Sequence, residues 1–336
     1  MDSLTHVVLG AVSGELIAGK KLGKKAMLWG ALANSLPDID VACGAFMNIP
    51  DELLAHRGFT HSFLFAFMAA PLLALLLNKV YKKLHAGLFT WYIFLLAEIL
   101  MHGLLDSLTA YGTGLLEPFS NRRISFDLIF VADPFFTLPL LIAFLRLAFK
   151  ASPQVRRHWA TTCLGISMLY LVFAWVNKMH VGKVLEENIA GKQLIVQRYL
   201  TTPTPFNNFL WYMVVRQDSG YSIAHYSLFD KSDDLVFYYI PRNDLLRTGL
   251  QDEADLQKLI RFSQGYYCLT TEKGKLYFSD MRFGQIGGWY MPDAPFVFRY
   301  QLAKDANNDL VIQRGRAMAS QGKALKEMIH RIFRDR

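Results

Sequence analysis

Cysteine is scarce in this sequence, with three residues among 336, and the three lie far apart. Cys43, Cys163 and Cys268 form no CxxC pair, which excludes a disulfide framework and a cysteine-bound zinc ion. Any metal ion must therefore be bound by histidine and carboxylate side chains. A basic segment before the first apolar run and a small-residue cleavage site after it are also missing, so we expect no cleaved signal peptide.

Charged residues are sparse too, at 19% of the chain, whereas 52% of the residues are hydrophobic. This balance excludes a disordered chain, and the lack of a short repeat excludes collagen and coiled coils. Nearly all long apolar runs fall within residues 1–178, and residues 179–336 have the mixed pattern of a water-soluble domain. We therefore predict an α-helical polytopic membrane domain over 1–178 and a small extracytoplasmic α+β domain over 179–336.

Four segments of the first domain are long enough to cross a bilayer, which takes about 20 apolar residues. They are Phe59–Val80, Leu88–Thr109, Leu128–Phe149 and Trp159–Val176. Two shorter runs precede them, Leu4–Ala18 and Ala26–Leu36, and the second would be only about 16 Å long as a helix. We predict that this pair forms a short helical hairpin, which adds two crossings or none.

Basic residues indicate which way the spans cross the membrane. They concentrate after the first span and between the last two, at Lys79, Lys82, Lys83, Arg146, Lys150, Arg156 and Arg157. The loops on the opposite side carry only Arg57, Arg122 and Arg123. Because cytoplasmic loops are enriched in lysine and arginine, we predict that the first set faces the cytoplasm. Residues 56–61, residues 108–127 and the second domain would then lie outside.

The second domain alternates strand-like runs with turn residues. We predict two hairpins, formed by Phe209–Val215 with Tyr221–Phe229 and by Tyr266–Thr271 with Lys275–Ser279. Helical periodicity marks Asp252–Phe262 and Gly322–Phe333.

Ionisable residues of the membrane domain collect at one end of the spans. Such a side chain costs at least about 2.5 kcal/mol among lipid tails, so it normally faces a cavity or a partner. Here the residues open the first helix, follow the second, precede the first full span and end the next. They are His6, Asp38, Asp40, His56, Arg57, His61, His102 and Asp106.

The spacing of these residues suits a metal site. His102 and Asp106 are four apart and would project from one face of a helix, and Glu98 extends that face as a ligand or a supporting residue. Histidine combined with carboxylate favours zinc, manganese or iron over calcium, which prefers oxygen ligands alone. We predict one to three divalent ions, with zinc as the first choice. The predicted ligands are His6, Asp38, Asp40, His56, His61, His102 and Asp106.

Each ligand also has a simpler structural explanation. His6 alone could be an interfacial histidine, and Asp38 with Asp40 could form a turn and a helix cap. His102 and Asp106 could be a hydrogen-bonded pair between helices. These explanations weaken together, since they must place seven polar residues at one depth by chance.

Three further carboxylates are less closely tied to the site. Glu15 is nine residues after His6 and would point away from it on a helix. Asp127 and Asp133 border the outer end of a later span and are candidate extra ligands. Asp133 with Pro134 could equally start a helix.

Four motifs together resemble a known family. They are Asp2-x-x-Thr5-His6-x-x-x-Gly10, Pro37-Asp38-x-Asp40, His56-Arg57-Gly58-x-Thr60-His61-Ser62 and His102-x-x-x-Asp106-x-x-Thr109-x-Tyr111-Gly112. Over residues 1–141 the chain resembles the bacterial family of predicted membrane-bound metal-dependent hydrolases, the YdjM-like inner-membrane proteins. The resemblance implies a multi-pass protein of the bacterial cytoplasmic membrane.

The chain is more distantly similar to the zinc-dependent phospholipases C. Their His-x-x-x-Glu pair has no clear counterpart here, which implies that one metal is missing or bound differently.

The pattern predicts a metal-dependent hydrolase that acts on a lipid or lipid-linked ester at the outer leaflet. Bound metal would lower the pKa of water towards about 7. Asp38 or Asp40 would accept a proton, and Arg57 would bind an anionic phosphoryl group. A phosphodiester is the first choice of substrate, and a carboxyl ester or amide is the second.

Other classes of function remain open to different degrees. The alternative is a non-enzymatic, metal-stabilised membrane scaffold whose outer domain binds envelope partners. A transporter is disfavoured, because only Glu15 and Glu98 continue the polar residues towards the cytoplasmic face. Nucleic acid is not an expected partner, since much of the positive charge flanks the membrane spans.

Overall fold

The structure is a computed structural model that describes residues 1–44, 46–149, 152–248, 250, 253–304, 310–315 and 321–334. Its helices are α1 Ser3–Leu22, α2 Lys25–Asn34, α3 Asp40–Gly44, α4 Ile49–Ala55, α5 Phe63–Val80, α6 Leu88–Ser107, α7 Pro134–Ala148, α8 Pro153–Gly191, α9 Ala254–Phe262 and α10 Gln321–Phe333. Its strands are β1 Arg198–Pro203, β2 Leu210–Arg216, β3 Gly220–Ser227, β4 Tyr238–Pro241, β5 Tyr267–Glu272, β6 Lys275–Gln285, β7 Phe296–Lys304 and β8 Leu310–Gly315.

The chain divides into two compact units. The first comprises Met1–Ala45 and Ala55–Ala174, and the second comprises Phe46–Leu54 and Trp175–Arg336. The first unit is helical throughout its packed core, and the second contains all eight described strands.

Three helices of the described chain, α5, α6 and α8, are long and apolar enough to cross a membrane. The predicted count of four full spans is therefore not confirmed. The difference lies in α7, whose 15 residues make about 22 Å of helix against a hydrocarbon core of about 30 Å. This helix starts late because the Asp133 side chain accepts hydrogen bonds from the backbone N–H groups of Phe135 and Phe136. Pro134 then occupies the first turn, so Asp133 is a helix cap.

The helices α1 and α2 pack against each other as a hairpin, and glycine makes their close approach feasible. A Cβ atom at Gly30 would lie 2.0 Å from the carbonyl oxygen of Gly10, and one at Gly14 would lie 2.4 Å from that of Ala26. Small residues at helix contacts are typical of membrane proteins, where backbones approach without bulky side chains between them. Asp2 caps α1 by accepting the backbone N–H of Thr5 at 3.1 Å.

The first unit has a polar end and a basic end, and helices run from one to the other. At the polar end, the Thr5 and Thr137 hydroxyl groups are 2.7 Å apart. At the basic end, Nζ of Lys24 donates to the carbonyl oxygen of Ala148 at 2.9 Å. Helix α7 therefore lies along α1 for most of its length. Near the basic end, buried Glu15 forms an ion pair with Arg156.

The second unit consists of two antiparallel four-stranded sheets with the orders β1-β2-β3-β4 and β5-β6-β7-β8. Both predicted hairpins are present, as the pairs β2–β3 and β5–β6. Both predicted helices are present as α9 and α10, although Asp252 lies outside the described residues. The buried aromatic residues Tyr212 and Tyr221 belong to a core cluster of this unit.

The contact between α1 and α2 yields a stability prediction. Gly30→Ala should destabilise the protein by about 1–3 kcal/mol, because the added methyl group overlaps the α1 backbone and the two helices must separate. Gly165→Ala is the matched control, since no atom lies within 4 Å of the added Cβ. This control should be neutral or stabilising by up to about 1 kcal/mol. Thermal unfolding in detergent measures both, and equal midpoints for the two variants would contradict the packing described here.

Candidate metal centre

The predicted site residues meet at the polar end of the first unit. His6 lies in the first turns of α1, and His102 and Asp106 lie near the end of α6. Asp38 and Asp40 follow α2, where Pro37 ends the α-helix in a short 3₁₀ turn. The histidine-rich segment 56–62 leads into α5, whose first turn is capped by Ser62.

Four ligand atoms form the centre of the site. Asp38, His61, His102 and Asp106 each offer one, and all four atoms lie within 4.8 Å of one another. Nε2 of His61 is 3.0 Å from Nε2 of His102. Both nitrogen atoms are 3.5 Å from Oδ1 of Asp38. They are 3.4 Å and 3.6 Å, respectively, from Oδ2 of Asp106.

These distances match the edges of a tetrahedron around a zinc ion. Zinc bonds to nitrogen and oxygen are about 2.0–2.2 Å long, which places tetrahedral ligand atoms roughly 3.3–3.6 Å apart. Five of the six edges defined by these four atoms measure 3.0–3.6 Å. The donor set of two imidazoles and two carboxylates also suits zinc, manganese or iron.

The hydrogen bonds of both imidazoles leave their Nε2 atoms as acceptors. Nδ1 of His102 contacts the carbonyl oxygen of Asn34, which can only accept, so Nδ1 carries the proton. The Thr60 hydroxyl group donates to Oδ2 of Asp40 at 3.0 Å, so its oxygen accepts from Nδ1 of His61 at 3.1 Å. A second group that fixes the tautomer is typical of metal-binding histidines. Two nitrogen lone pairs and two carboxylates therefore point at one place.

Such a set of acceptors repels itself unless a cation lies between them. Oδ2 of Asp106 is buried and receives no hydrogen bond of good geometry from the described residues. Nε of Arg57 lies 3.1 Å from this oxygen and lacks a hydrogen-bond acceptor in the same part of the chain. Buried polar atoms are normally paired, and a divalent ion would satisfy Asp106. The residues present therefore fit a bound metal.

A second group of potential ligands shares one residue with the first. Asp38, Asp40 and His56 each offer an atom within 4.8 Å of the others. Oδ1 of Asp40 is 3.1 Å from Nδ1 of His56, and Oδ2 accepts the backbone N–H of Arg57 at 3.0 Å. Asp38 belongs to both groups, so the two groups adjoin each other through this residue.

The electrostatics keep these groups in the states that bind metal. Burial lowers the pKa of His61 from 6.5 to about 3, so the imidazole is neutral at physiological pH. Burial raises the pKa of Asp38, but contacts with His102 and His61 outweigh it and hold the pKa well below its usual range. Burial likewise opposes ionisation of Asp40, and its contacts with His56 and His61 lower its pKa overall.

His6 touches the site but belongs to neither group of ligands. Its ring stacks on that of His102, with 3.7 Å between the centroids, and its Nε2 is 3.2 Å from Oδ1 of Asp106. The α-amino group of Met1 also contacts this oxygen. The structure thus brings all seven predicted ligands together, with six of them in the two groups and His6 beside Asp106.

Arg57 is buried at 2% exposure rather than open to solvent. Its Nη1 donates to the Thr109 hydroxyl group at 2.8 Å, and the guanidinium lies 4.6 Å from the centre of the Tyr111 ring. Burial lowers its pKa to about 10, so it stays charged at physiological pH. Its backbone adopts φ of 62°, a conformation that costs about 1–2 kcal/mol and that the bond to Asp40 helps to hold.

Asn34 is a supporting residue that the sequence analysis missed. Its Oδ1 is 3.2 Å from Nδ1 of His6, and its Nδ2 donates to the backbone and the side chain of Glu98 at 3.0 and 3.2 Å. Ser13 donates to the same carboxylate. Glu98 therefore supports the histidines through Asn34 and lies outside both ligand groups. An amide in the last turn of an apolar helix is the signal that could have revealed it.

Gly103 brings α6 close to the histidine-rich segment. A Cβ atom there would lie 2.8 Å from the carbonyl oxygen of His61. The other carboxylates considered above have different roles in the structure: Glu15 pairs with Arg156, and Asp133 caps α7 and accepts a hydrogen bond from Tyr170.

All the residues of the site lie in a part of the chain that matches a known protein family. The model of the YdjM inner membrane protein family matches residues 1–181, more than half of the chain. The chain is 34% identical over 122 residues to inner membrane protein YbcI of Escherichia coli (strain K12), covering 36% of this chain and 69% of that protein. It is 25% identical over 327 residues to the uncharacterized protein YfhP of Bacillus subtilis (strain 168), covering 91% and 92% of the two chains. No solved structure matches.

The two ligand groups predict how much metal each variant retains. His61→Ala and His102→Ala should each weaken zinc binding at least about tenfold, because each removes a buried ligand of the four-atom group. His56→Ala should remove at most the ion of the second group. Exposed His180 of the second unit provides the control, and His180→Ala should retain the wild-type content. Elemental analysis after dialysis measures this, and wild-type zinc content in His102→Ala would contradict the assignment.

Proposed function

This chain belongs to the YdjM inner membrane protein family, and we propose that it is a metal-dependent hydrolase acting on a lipid or lipid-linked ester. The observation that carries the proposal is the pair of ligand groups joined through Asp38. Two ions sharing a carboxylate suit in-line displacement at phosphorus, so a phosphodiester is the first choice of substrate. A carboxyl ester or amide is the second.

The unequal exposure of the ligands supports a catalytic role. The side chains of Asp38 and His56 are 23% and 32% exposed, whereas those of His61 and His102 are inaccessible. A structural metal site is closed, and a catalytic site keeps an accessible position for substrate or water. The side bearing Asp38 and His56 provides that access.

Exposed apolar residues adjoin the partly exposed ligands in the sequence, which supports a lipid substrate. Ile39 and Val41 alternate with the aspartates and are 57% and 60% exposed. Phe59, in the histidine-rich segment, is 41% exposed. Exposed apolar groups beside a polar site suit a molecule with both acyl chains and an ester or phosphate group.

The chain's own residues have distinct roles in this proposal. Bound divalent metal would supply Lewis acidity and a more acidic water at neutral pH. Asp38, ionised and partly exposed, would hold metal and orient an attacking water, because its low pKa makes its carboxylate a weak proton acceptor. Arg57 keeps a positive charge next to Asp106 and would help stabilise negative charge that develops on the substrate. Asn34 and Thr60 hold His102 and His61 in the tautomers that bind metal.

We place the site at the outer leaflet on charge grounds. The lysine-rich turn after α5 and the turn between α1 and α2 lie at the basic end: Nζ of Lys25 is 5.1 Å from the centre of the Tyr81 ring, and Lys21 donates to Thr90. Positive charge favours the cytoplasmic side, which directs the polar end outwards. The second unit would then also face outwards if α7 crosses the membrane.

A scaffold role is the second candidate, and the burial of His61, His102 and Asp106 favours it. In that case the metal would stabilise the protein and no substrate would be cleaved. A hydrolase would cleave a lipid in a metal-dependent reaction, whereas a scaffold would only gain thermal stability from the metal.

Hydrolysis of lipids is the direct test. Purified protein should release a product from extracted envelope lipids, as detected by mass spectrometry, and chelation should abolish it. Asp38→Asn should lower the rate at least about 100-fold, because the charged ligand shared by both groups is lost, while His180→Ala should not change it. A zinc-loaded wild-type protein that is thermally stabilised by metal, yet cleaves nothing in a broad panel, would support the scaffold and contradict the hydrolase.

A natural cysteine tests the sidedness of the site. Cys43 is exposed and lies three residues from Asp40, whereas Cys163 and Cys268 are buried, and burial raises the pKa of Cys268 to about 12. A membrane-impermeant maleimide should therefore modify Cys43 in intact spheroplasts. Lys83→Cys in a Cys43→Ser background should react only after lysis. If the Lys83→Cys variant were labelled in intact spheroplasts and the wild-type protein were not, the site would face the cytoplasm and the proposed orientation would be wrong.

A further inference from the structure

The second unit contains a cavity of about 250 Å³ that the proposed hydrolase site does not use. It lies between β3, β4, the β6–β7 connection and α10, and its lining includes His225, Tyr238, Gly288, Trp289, Tyr290 and Arg331. At about 30 Å³ per water molecule, it has room for about eight waters. That is below the usual range for drug-sized ligands and suits a single ring.

Aromatic rings form the walls of this cavity. Trp289 and Tyr290 are half-buried, and Tyr238 is 45% exposed at the rim. The indole N–H of Trp289 donates to the carbonyl oxygen of Ala324 at 3.2 Å, so it is already satisfied and the ring contributes apolar surface. Aromatic rings pack against the C–H groups of a ligand, while the Tyr hydroxyl groups offer hydrogen bonds at the edge.

The cavity has almost no net charge to offer a ligand. Among its described lining residues, the one permanent charge is that of Arg331. Its two terminal nitrogen atoms bind both oxygens of Asp230, at 2.6 and 2.7 Å. A bidentate pair of this kind occupies the best donors of the guanidinium group. An anionic ligand would have to break it, so the cavity favours a neutral one.

An unpaired buried acceptor lies next to the cavity. Nε2 of Gln285 donates to the carbonyl oxygens of Pro292 and Ala294, both at 2.7 Å. Its Oε1 is buried without a hydrogen-bond donor from the described chain, in a residue that is only 4% exposed. This oxygen is 2.9 Å from the position of a Cβ atom at the lining residue Gly288. Gln285 is not a lining residue and this oxygen is inaccessible, so its amide group supports the wall from behind Gly288 by holding Pro292 and Ala294 in place.

We infer that this cavity is a binding site for one saccharide unit. A sugar ring combines the features that the cavity requires: neutrality, a C–H face for Trp289 and Tyr290, and hydroxyl groups for the Tyr238 rim. The inference is independent of the proposed hydrolase, since it uses only residues of the second unit.

Saturation-transfer NMR on the full-length protein tests the inference. The protein is kept in a detergent without a sugar headgroup, and the probes are glucose, galactose, mannose and N-acetylglucosamine. At least one should bind, and Tyr238→Ala should weaken its binding at least tenfold. Tyr239→Ala is the matched control, because its side chain lies on the other face of β4 and contacts Ser219 instead. The Tyr239→Ala variant should bind the same sugar with an affinity within twofold of wild type.

A second variant and a second source of sugar complete the test. Gly288→Ala places a methyl group against Gln285 and should also weaken binding at least tenfold. If the free sugars fail, nanodiscs containing a monoglucosyl lipid provide the probe, and binding that requires Tyr238 would assign the site to a lipid-linked sugar. Absence of binding from both sources, or equal losses in Tyr238→Ala and Tyr239→Ala, would overturn the inference.

Discussion

The convergence of four hydrogen-bond acceptors in a buried place is the constraint on which the first unit depends. Two imidazole nitrogens and two carboxylate oxygens within 4.8 Å repel one another strongly where the dielectric is low. The Arg57 guanidinium and the Met1 α-amino group offset part of this repulsion at Asp106, and a metal cation at the common point would relieve the rest. The fold must therefore hold these groups together against their own electrostatics, and a bound ion would repay that cost.

The surrounding structure fulfils this requirement with rigid elements. Glycines bring α1 against α2, which puts Asn34 beside His6, and Gly103 brings α6 against the segment that carries His61. The polar network continues from Asn34 to Glu98 and Ser13, so that buried donors and acceptors satisfy one another away from the ligands. A partly satisfied buried network would be less favourable than an apolar core.

Much of the site could be predicted from the sequence, because an ionisable residue in an apolar helix is costly and therefore conspicuous. His102 and Asp106 were evident from their i, i+4 spacing, and Asp133 from the proline that follows it. The role of Asn34 was not evident, since its partners come from α1 and α6 through tertiary contacts. The division of the ligands into two groups, and the contact of Arg57 with Asp106, also depend on how turns fold back.

The length of α7 was overestimated because hydropathy continues through residues 128–133, where Asp133 delays the helix. Nothing local in Gly288 or Trp289 marked the cavity of the second unit, whose walls come from four separate segments.

The origin of each ligand bears on how the two groups would behave. In the first group, His102 and Asp106 come from one helix and His61 is fixed by Thr60, so these three positions can change little without moving α6 or α5. In the second group, Asp40 and His56 come from connecting segments, and His56 is the most exposed of the ligands. Helical ligands hold an ion in a constant geometry, whereas ligands on turns can adjust as substrate enters and product leaves. Because Asp38 belongs to both groups, an ion held firmly by the helices would also fix one ligand of the adjustable group. In the proposed hydrolase, partly exposed Asp38 and His56 would face the substrate, while buried His61, His102 and Asp106 would keep the shared carboxylate in position.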